Sequence, residues 1–296
     1  MANVLVLGTD SNLWMEHAPF GRVPPARQLV DSGVAAFQGL DSGTVLVLDG
    51  GGDLWLERAP FGDVPPAREQ IDGQVQWFRA FNAQQVLVLG NDGKLWLEHA
   101  PFGDVPPPRQ QIDDQVAGFQ GLDANTVVVL GSDGKLWMEH APFGQVPPAR
   151  EQIDDSAGDF HALDGETVLV LGNDGKLWLE HAPFGHVPPA REHVDDTVSR
   201  FQALSAIDVL VLGSDGKLWL EHGPFGHVPP VREEVDSDVG DFQGLDTSHV
   251  LVLGSDGNLW LEQAPWGRVP PRRVRVDSGV AAFQSLGSVS ALRRRG

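Results

Sequence analysis

The chain has 296 residues, with no Cys, no Tyr, 35 Gly, 22 Pro, 9 Trp and 14 Phe. Without Cys there is no disulfide framework, no thiolate metal site and no thiol nucleophile. The 41 Asp plus Glu against 21 Lys plus Arg give a formal net charge of −20, a field that repels nucleic-acid phosphates, so no nucleic-acid partner is expected.

A constant step of 41 residues separates Trp14, Trp55, Trp96, Trp137, Trp178, Trp219 and Trp260. The apolar run beginning at Val4 and the aromatic at Phe37 keep the same step, with no insertion or deletion between markers. Self-similarity of this kind governs the fold. The third repeat illustrates the elements in chain order. Val86-Leu87-Val88-Leu89 is a β-prone apolar run, the pattern of a strand buried on both faces. Gly90-Asn91-Asp92-Gly93 then predicts a tight hairpin, because Asn, Asp and Gly tolerate positive φ. The return strand, residues 94–99, separates Leu95, Leu97 and His99 from Trp96 and Glu98 by its alternation. The Pro-rich segment 100–107 predicts a structured loop. Arg109 to Asp113 is a more polar strand anchored by Ile112, and Val116 to Leu122, with its small residues, is predicted to sit where packing is tightest.

A 41-residue unit is close to the ~40-residue size below which domains rarely fold alone, so neighbouring units must cover its apolar faces. Seven four-stranded units predict an all-β, seven-bladed β-propeller with antiparallel strands, spanning 1–290 as a single domain. A linear solenoid requires polar capping repeats, which the end units lack. If Val116 to Leu122 is an innermost strand, Val280 to Leu286 completes a blade begun by residues 4–31, closing the ring by strand exchange between the termini. Residues 291–296 form a basic tail outside the repeat, expected to be disordered. No apolar run approaches the ~20 residues of a membrane helix, and no signal-peptide pattern opens the chain, so membrane insertion is not expected and the default location is cytoplasmic.

The residues Val116-Ala-Gly-Phe-Gln-Gly-Leu, followed by Val127-Val-Val-Leu-Gly-Ser-Asp-Gly-Lys-Leu-Trp-Met-Glu-His140, resemble the strand, hairpin and strand core of Photorhabdus-type bacterial propeller lectins. They are also similar to tectonin and tachylectin-like propellers. The resemblance implies a multivalent carbohydrate-binding protein with one site per blade. The segment His-Ala-Pro-Phe-Gly-x-Val-Pro-Pro-x-Arg departs from those lectins, whose outer stretch is Trp-rich.

Catalytic signatures such as Gly-x-Ser-x-Gly, the P-loop and His-Glu-x-x-His are missing, no cofactor motif is present, and no blade concentrates unusual polar residues, so no enzymatic activity is expected. The series Trp14 to Trp260 lies mid-strand and is expected to wedge between blades. Glu98 and Arg109 stand for series in which Glu and Arg recur with an Asp; ion pairing that closes the loop is the first reading, hydrogen bonding to sugar hydroxyls the second. His17, His99, His140, His181 and His222 share one slot that holds Arg58 and Gln263 in the other two blades. Arg cannot replace a metal ligand, so hydrogen bonding is favoured and no metal is expected. Phe20, Phe61, Phe102, Phe143, Phe184 and Phe225, with Trp266 in the last blade, are the candidate stacking platforms, or alternatively tuck the loop onto the blade. Three functions follow as expectations: a glycan-binding propeller with up to seven weak equivalent sites, a protein-interaction scaffold using one face, or a ring with a ligand or ion on its axis.

Overall fold

The computed structural model describes residues 3–286, so the basic tail at 291–296 lies outside the described residues. These residues form seven four-stranded antiparallel sheets and no helix, a seven-bladed β-propeller. Blades are numbered here by the Trp series, from blade 1 at Trp14 to blade 7 at Trp260. In blade 3 the four strands are Val75–Asn82, Gln85–Gly90, Leu95–His99 and Arg109–Asp113. Blade 1 is assembled from both ends of the chain: Val280–Ser285 pairs antiparallel with Asn3–Gly8, which continues to Asn12–His17 and Ala26–Ser32.

The predicted hairpin is built as its residues dictate. Gly93 N–H donates to the Gly90 carbonyl at 3.0 Å, and Gly93 holds φ 77°, which a side chain would resist. The Asp92 carboxylate accepts the Lys94 N–H at 3.1 Å, fixing the entry to the third strand.

The described chain divides into two compact units. The first comprises residues 3–116, 142–148 and 275–286, and the second residues 117–141 and 149–274. In the first unit, Leu46, Leu48, Leu54, Leu56 and Ile71 of blade 2 pack against Val75, Phe78, Ala80, Val86 and Val88 of blade 3. The second unit repeats the arrangement, with Leu169, Leu177 and Leu179 of blade 5 against Phe201, Val209 and Val211 of blade 6. The core therefore lies between consecutive blades, which is why the second strand is apolar at its four central positions: Leu46 and Leu48 face blade 3, while Val45 and Val47 face blade 1.

The first strands pack closest. A Cβ added at Gly39 would stand 2.5 Å from a Leu5 methyl, and the equivalent position holds Ala80, Ala162, Ala203 and Gly244. That crowding matches the small-residue signature of this strand.

Candidate functional site

The residues of the repeated loop are tied, blade after blade, to the preceding blade. Gly103 N–H donates to the Gln70 carbonyl at 2.9 Å, Gly62 to Leu29 at 2.9 Å and Gly226 to His193 at 2.9 Å. Gly103 holds φ 111°, which lets the backbone turn to meet that carbonyl. The second Pro of each Val-Pro-Pro is buried, while the first is exposed. Thus the Pro-rich segment works as a latch between neighbouring fourth strands.

Burial decides between the two readings of the loop aromatics. Phe102, Phe143, Phe184, Phe225 and Trp266 are buried, and Phe102, Phe184, Phe225 and Trp266 join the apolar clusters between blades. Phe20 and Phe61 are half-buried, with Phe61 packed on the blade 1 and 2 cluster. The ring that would stack on a ligand is instead the plug that anchors the latch, and burying a Phe contributes roughly 2–3 kcal/mol. Trp266 also donates its indole N–H to the Thr247 carbonyl at 2.9 Å, which accommodates the exchange of Phe for Trp in blade 7.

Beside six of the latches lies a four-residue cluster. Glu98 sits on the third strand of blade 3 opposite Arg109 on the fourth, and Trp96 shares the face of Glu98. The Arg109 guanidinium lies over Trp96, 4.1 Å from the ring centroid. Its Nη1 is 3.2 Å from Asp72 Oδ2, at the end of the preceding blade's fourth strand, and 3.6 Å from Glu98 Oε1. The same triad of contacts unites Arg27 with Asp277 and Glu16, Arg68 with Asp31 and Glu57, Arg191 with Asp154 and Glu180, Arg232 with Asp195 and Glu221, and Arg273 with Asp236 and Glu262. Ion pairing is therefore realised, but between blades as well as within one.

Two carboxyl groups on one cation raise a charge problem. Glu98 is fully buried, and neither of its oxygens accepts a full hydrogen bond. Burial first, and then the neighbouring Asp72 carboxylate, pushes Glu98 up to about 9. A protonated Glu98 resolves the contact, because it leaves Asp72 as the one carboxylate facing the Arg109 cation. Glu16, Glu57, Glu221 and Glu262 are likewise pushed up to about 9, and Glu180 to about 8. Shifts of this size keep these six groups protonated at pH 7, so the folded chain is less negative than its formal charge of −20.

The cluster keeps one open side. In Arg27, Arg68, Arg109, Arg191, Arg232 and Arg273 the carboxylates engage Nη1, and the other guanidinium N–H groups have no acceptor among the described residues. These side chains are 29–33% exposed. All seven Trp of the series are half-buried rather than wedged fully into the core. A guanidinium lying on an indole makes a flat surface with unused donors at its edge.

The His series stands at the end of the third strand, beside the mouth of the latch. His17 Nδ1 lies 2.9 Å from Asn3 Oδ1, and His222 Nδ1 lies 2.8 Å from Asp208 Oδ1, so each is held sideways by the start of the second strand. His99, His140 and His181 take the same register position and are half-buried. Among the described residues, no group of three His, Asp or Glu side chains is placed to hold a metal ion.

One set of residues breaks the sevenfold pattern. On the first strands, the column at 36, 77, 118, 159, 200, 241 and 282 reads Ala, Trp, Gly, Asp, Arg, Asp, Ala. Arg200 pairs with Asp241 at 2.8 Å. The next outward column is Gln at 38, 120, 202, 243 and 284, but Arg79 in blade 3 and His161 in blade 5. Blades are thus not equivalent here, contrary to the expectation that no blade concentrates unusual polar residues. The departure from an otherwise uniform column is the signal that could have found them.

No protein-family model and no curated protein sequence matches the chain. Among solved structures, the chain is similar to the crystal structure of human WBSCR16, with 12% identity, a TM-score of 0.51, and 93% of this chain and 94% of that one covered. It is also similar to the crystal structure of the computationally designed Ika8 protein, with 16% identity, a TM-score of 0.59, and 100% and 88% covered. At these identities the likeness concerns the fold alone. No helix among the described residues is long and apolar enough to cross a membrane.

Proposed function

We propose that this propeller is a non-catalytic, multivalent binding protein and that its ligands are carbohydrates, taken at one weak site per blade. The observation that supports this reading is the repeated Trp–Arg stack with free guanidinium donors at its edge. A flat amphipathic surface with fixed donors suits a sugar ring, whose hydroxyls accept hydrogen bonds while its C–H groups rest on the apolar part. Because each cluster of Arg, Asp and protonated Glu is close to neutral, it suits neutral sugars. His17, His99, His140, His181 and His222 at the latch mouth extend the patch, whereas the loop Phe residues and Trp266 support it from beneath. Seven weak sites would act together on a glycan-coated surface.

The test is a glycan array followed by calorimetry with the best simple sugar. A stoichiometry well above one per chain is expected, falling by one site for each Arg-to-Lys change in the stack. An array without signal across a broad panel would sink this reading. A protein-interaction scaffold is the second reading, supported by the Val residues at the tips of the latches: Val64, Val105, Val146, Val228 and Val269 are 36–45% exposed. Isolated apolar tips repeated around one set of loops suit a protein surface better than a sugar.

A further inference from the structure

We propose that the first strand of blade 3 carries a separate, single site for an organic anion, with Arg79 taking the oxyanion and Trp77 forming a wall for a flat apolar group. Trp77 and Arg79 pair with Leu89 and Leu87 of the second strand, so they share one face of the sheet. The inference stands on what Arg79 replaces and on what it lacks.

In other blades the residue at this position links neighbouring first strands through both faces of an amide. Gln38 Nε2 donates to the Ala80 carbonyl at 3.0 Å, and Ala80 N–H donates to Gln38 Oε1 at 2.8 Å. Gln120 makes the same pair with Ala162, at 2.7 and 3.0 Å, and Gln202 with Gly244, at 3.1 and 2.8 Å. Arginine has five donors and no acceptor, so Arg79 cannot make the second half of such a link.

Among the described residues nothing answers the charge that takes its place. Arg79 has no hydrogen bond and no ion pair among the described residues, although the chain is rich in carboxylates. The Arg residues of the latch clusters, by contrast, each reach two acids. Arg79 keeps some accessible surface, yet protein crowds it closely enough that burial pulls its guanidinium below the ordinary value. Arg79 is thus a crowded cation that still touches solvent. An unpaired charge in such a place is costly, and a bidentate oxyanion removes that cost.

Trp77 supplies the second half of the site. Its column holds Ala36, Gly118 and Ala282 in three other blades, so the large ring is not required for the strand to pack. It is half-buried and tilted 39° against Phe78, with ring centroids 6.2 Å apart. The site goes beyond the repeated patches, because it exists once and uses residues that no other blade has.

The probes are benzoate, phenyl phosphate and inorganic phosphate, titrated into the full chain by calorimetry. Benzoate or phenyl phosphate should saturate at one per chain, and which of the two binds tighter distinguishes a carboxylate from a phosphate ligand. Arg79→Gln, which installs the residue of five other blades, should weaken binding by about tenfold or more with an unchanged circular dichroism spectrum. Trp77→Ala should weaken the aromatic probes and leave inorganic phosphate within about twofold. Absence of saturable heat up to about 10 mM with every probe, or equal affinity in Arg79→Gln, would overturn the site. Equal losses for aromatic and inorganic probes in Trp77→Ala would overturn the role of Trp77 as the wall.

Discussion

The latches and the first strands of the blades make opposite use of repetition. In the latch and its cluster, nearly every residue recurs, and nearly every recurring residue is occupied in joining one blade to the next: Phe102 as a plug, Gly103 as a hydrogen-bond donor, Arg109 as a bridge from Glu98 to Asp72. In the first strands one column varies from Ala to Trp to Asp, and in the neighbouring column Arg79 has no partner among the described residues. Recurrence in this protein therefore marks construction. A ligand site is better sought where recurrence fails, or in the donors that the construction leaves unused.

The strongest way to break that comparison is to remove a plug. Phe102→Ala should cost about 3 kcal/mol, because it opens a cavity in a packed interface and frees the latch. Guanidinium unfolding would show this as a lowered midpoint. If Phe102 were a ligand platform, the midpoint would barely move and ligand affinity would fall instead. Changing all seven loop aromatics at once is expected to prevent folding, so binding loss in that variant carries no information about contact.

Next in size is the bridge. Arg109→Ala leaves Asp72 without its cation and uncovers Trp96, for a loss of about 2 kcal/mol in the same unfolding measurement. Arg109 is part-exposed, which keeps this cost below that of a fully buried pair. A loss no larger than that of an ordinary surface substitution, ~0.5 kcal/mol, would show that the cluster is ornamental.

The buried acid gives a third effect, small at pH 5 and growing with alkalinity, with a definite sign. Glu98 ordinarily titrates near 4.5 and is pushed up to about 9 by burial and by Asp72. Between those values the folded chain holds a proton that the unfolded chain has released, so the contribution of Glu98 falls as pH rises from about 4.5 and levels off above about 9. Glu98→Gln mimics the neutral acid and keeps a donor for Asp72. It should match the parent within about 0.5 kcal/mol at pH 5 and become relatively more stable with alkalinity, by up to about 1.4 kcal/mol per pH unit. Denaturation midpoints of the two proteins at pH 5, 7 and 9 test this; parallel profiles would mean that Glu98 is ionised throughout.

The blades, their four strands and the shared N- and C-terminal sheet were legible in the sequence, because a period of 41 without insertions leaves few ways to cover strands that are apolar on both faces. The pairing of Glu with Arg was legible too, since the two recur on strands joined by one loop. The third member was harder to see: Asp72 lies 37 residues before Arg109, and only the stacking of blades brings it within reach. Phe102 was ambiguous for a related reason, because a loop that folds back on its neighbour buries residues that a loop standing free would expose. Arg79 does not repeat, so the period carries no trace of it; its meaning lies in the Gln it replaces.

That replacement supplies the smallest and most pointed prediction. If Arg79 is kept for binding and not for building, then Arg79→Gln should stabilise the protein in the absence of any anion, by about 0.5–1 kcal/mol. The change removes a crowded, unpaired cation and restores an amide that both donates and accepts, as Gln38 does toward Ala80. Most substitutions at partly buried positions destabilise, so a gain would be informative in itself. The measurement is the shift in denaturation midpoint in phosphate-free buffer, repeated with saturating benzoate or phenyl phosphate. In the parent the anion should raise the midpoint and in the variant it should not, so the order of the two proteins narrows or reverses as ligand is added. A variant less stable than its parent without any anion would place Arg79 among the building residues, and the distinction between repeated construction and singular function would fail at the position where it is drawn most sharply.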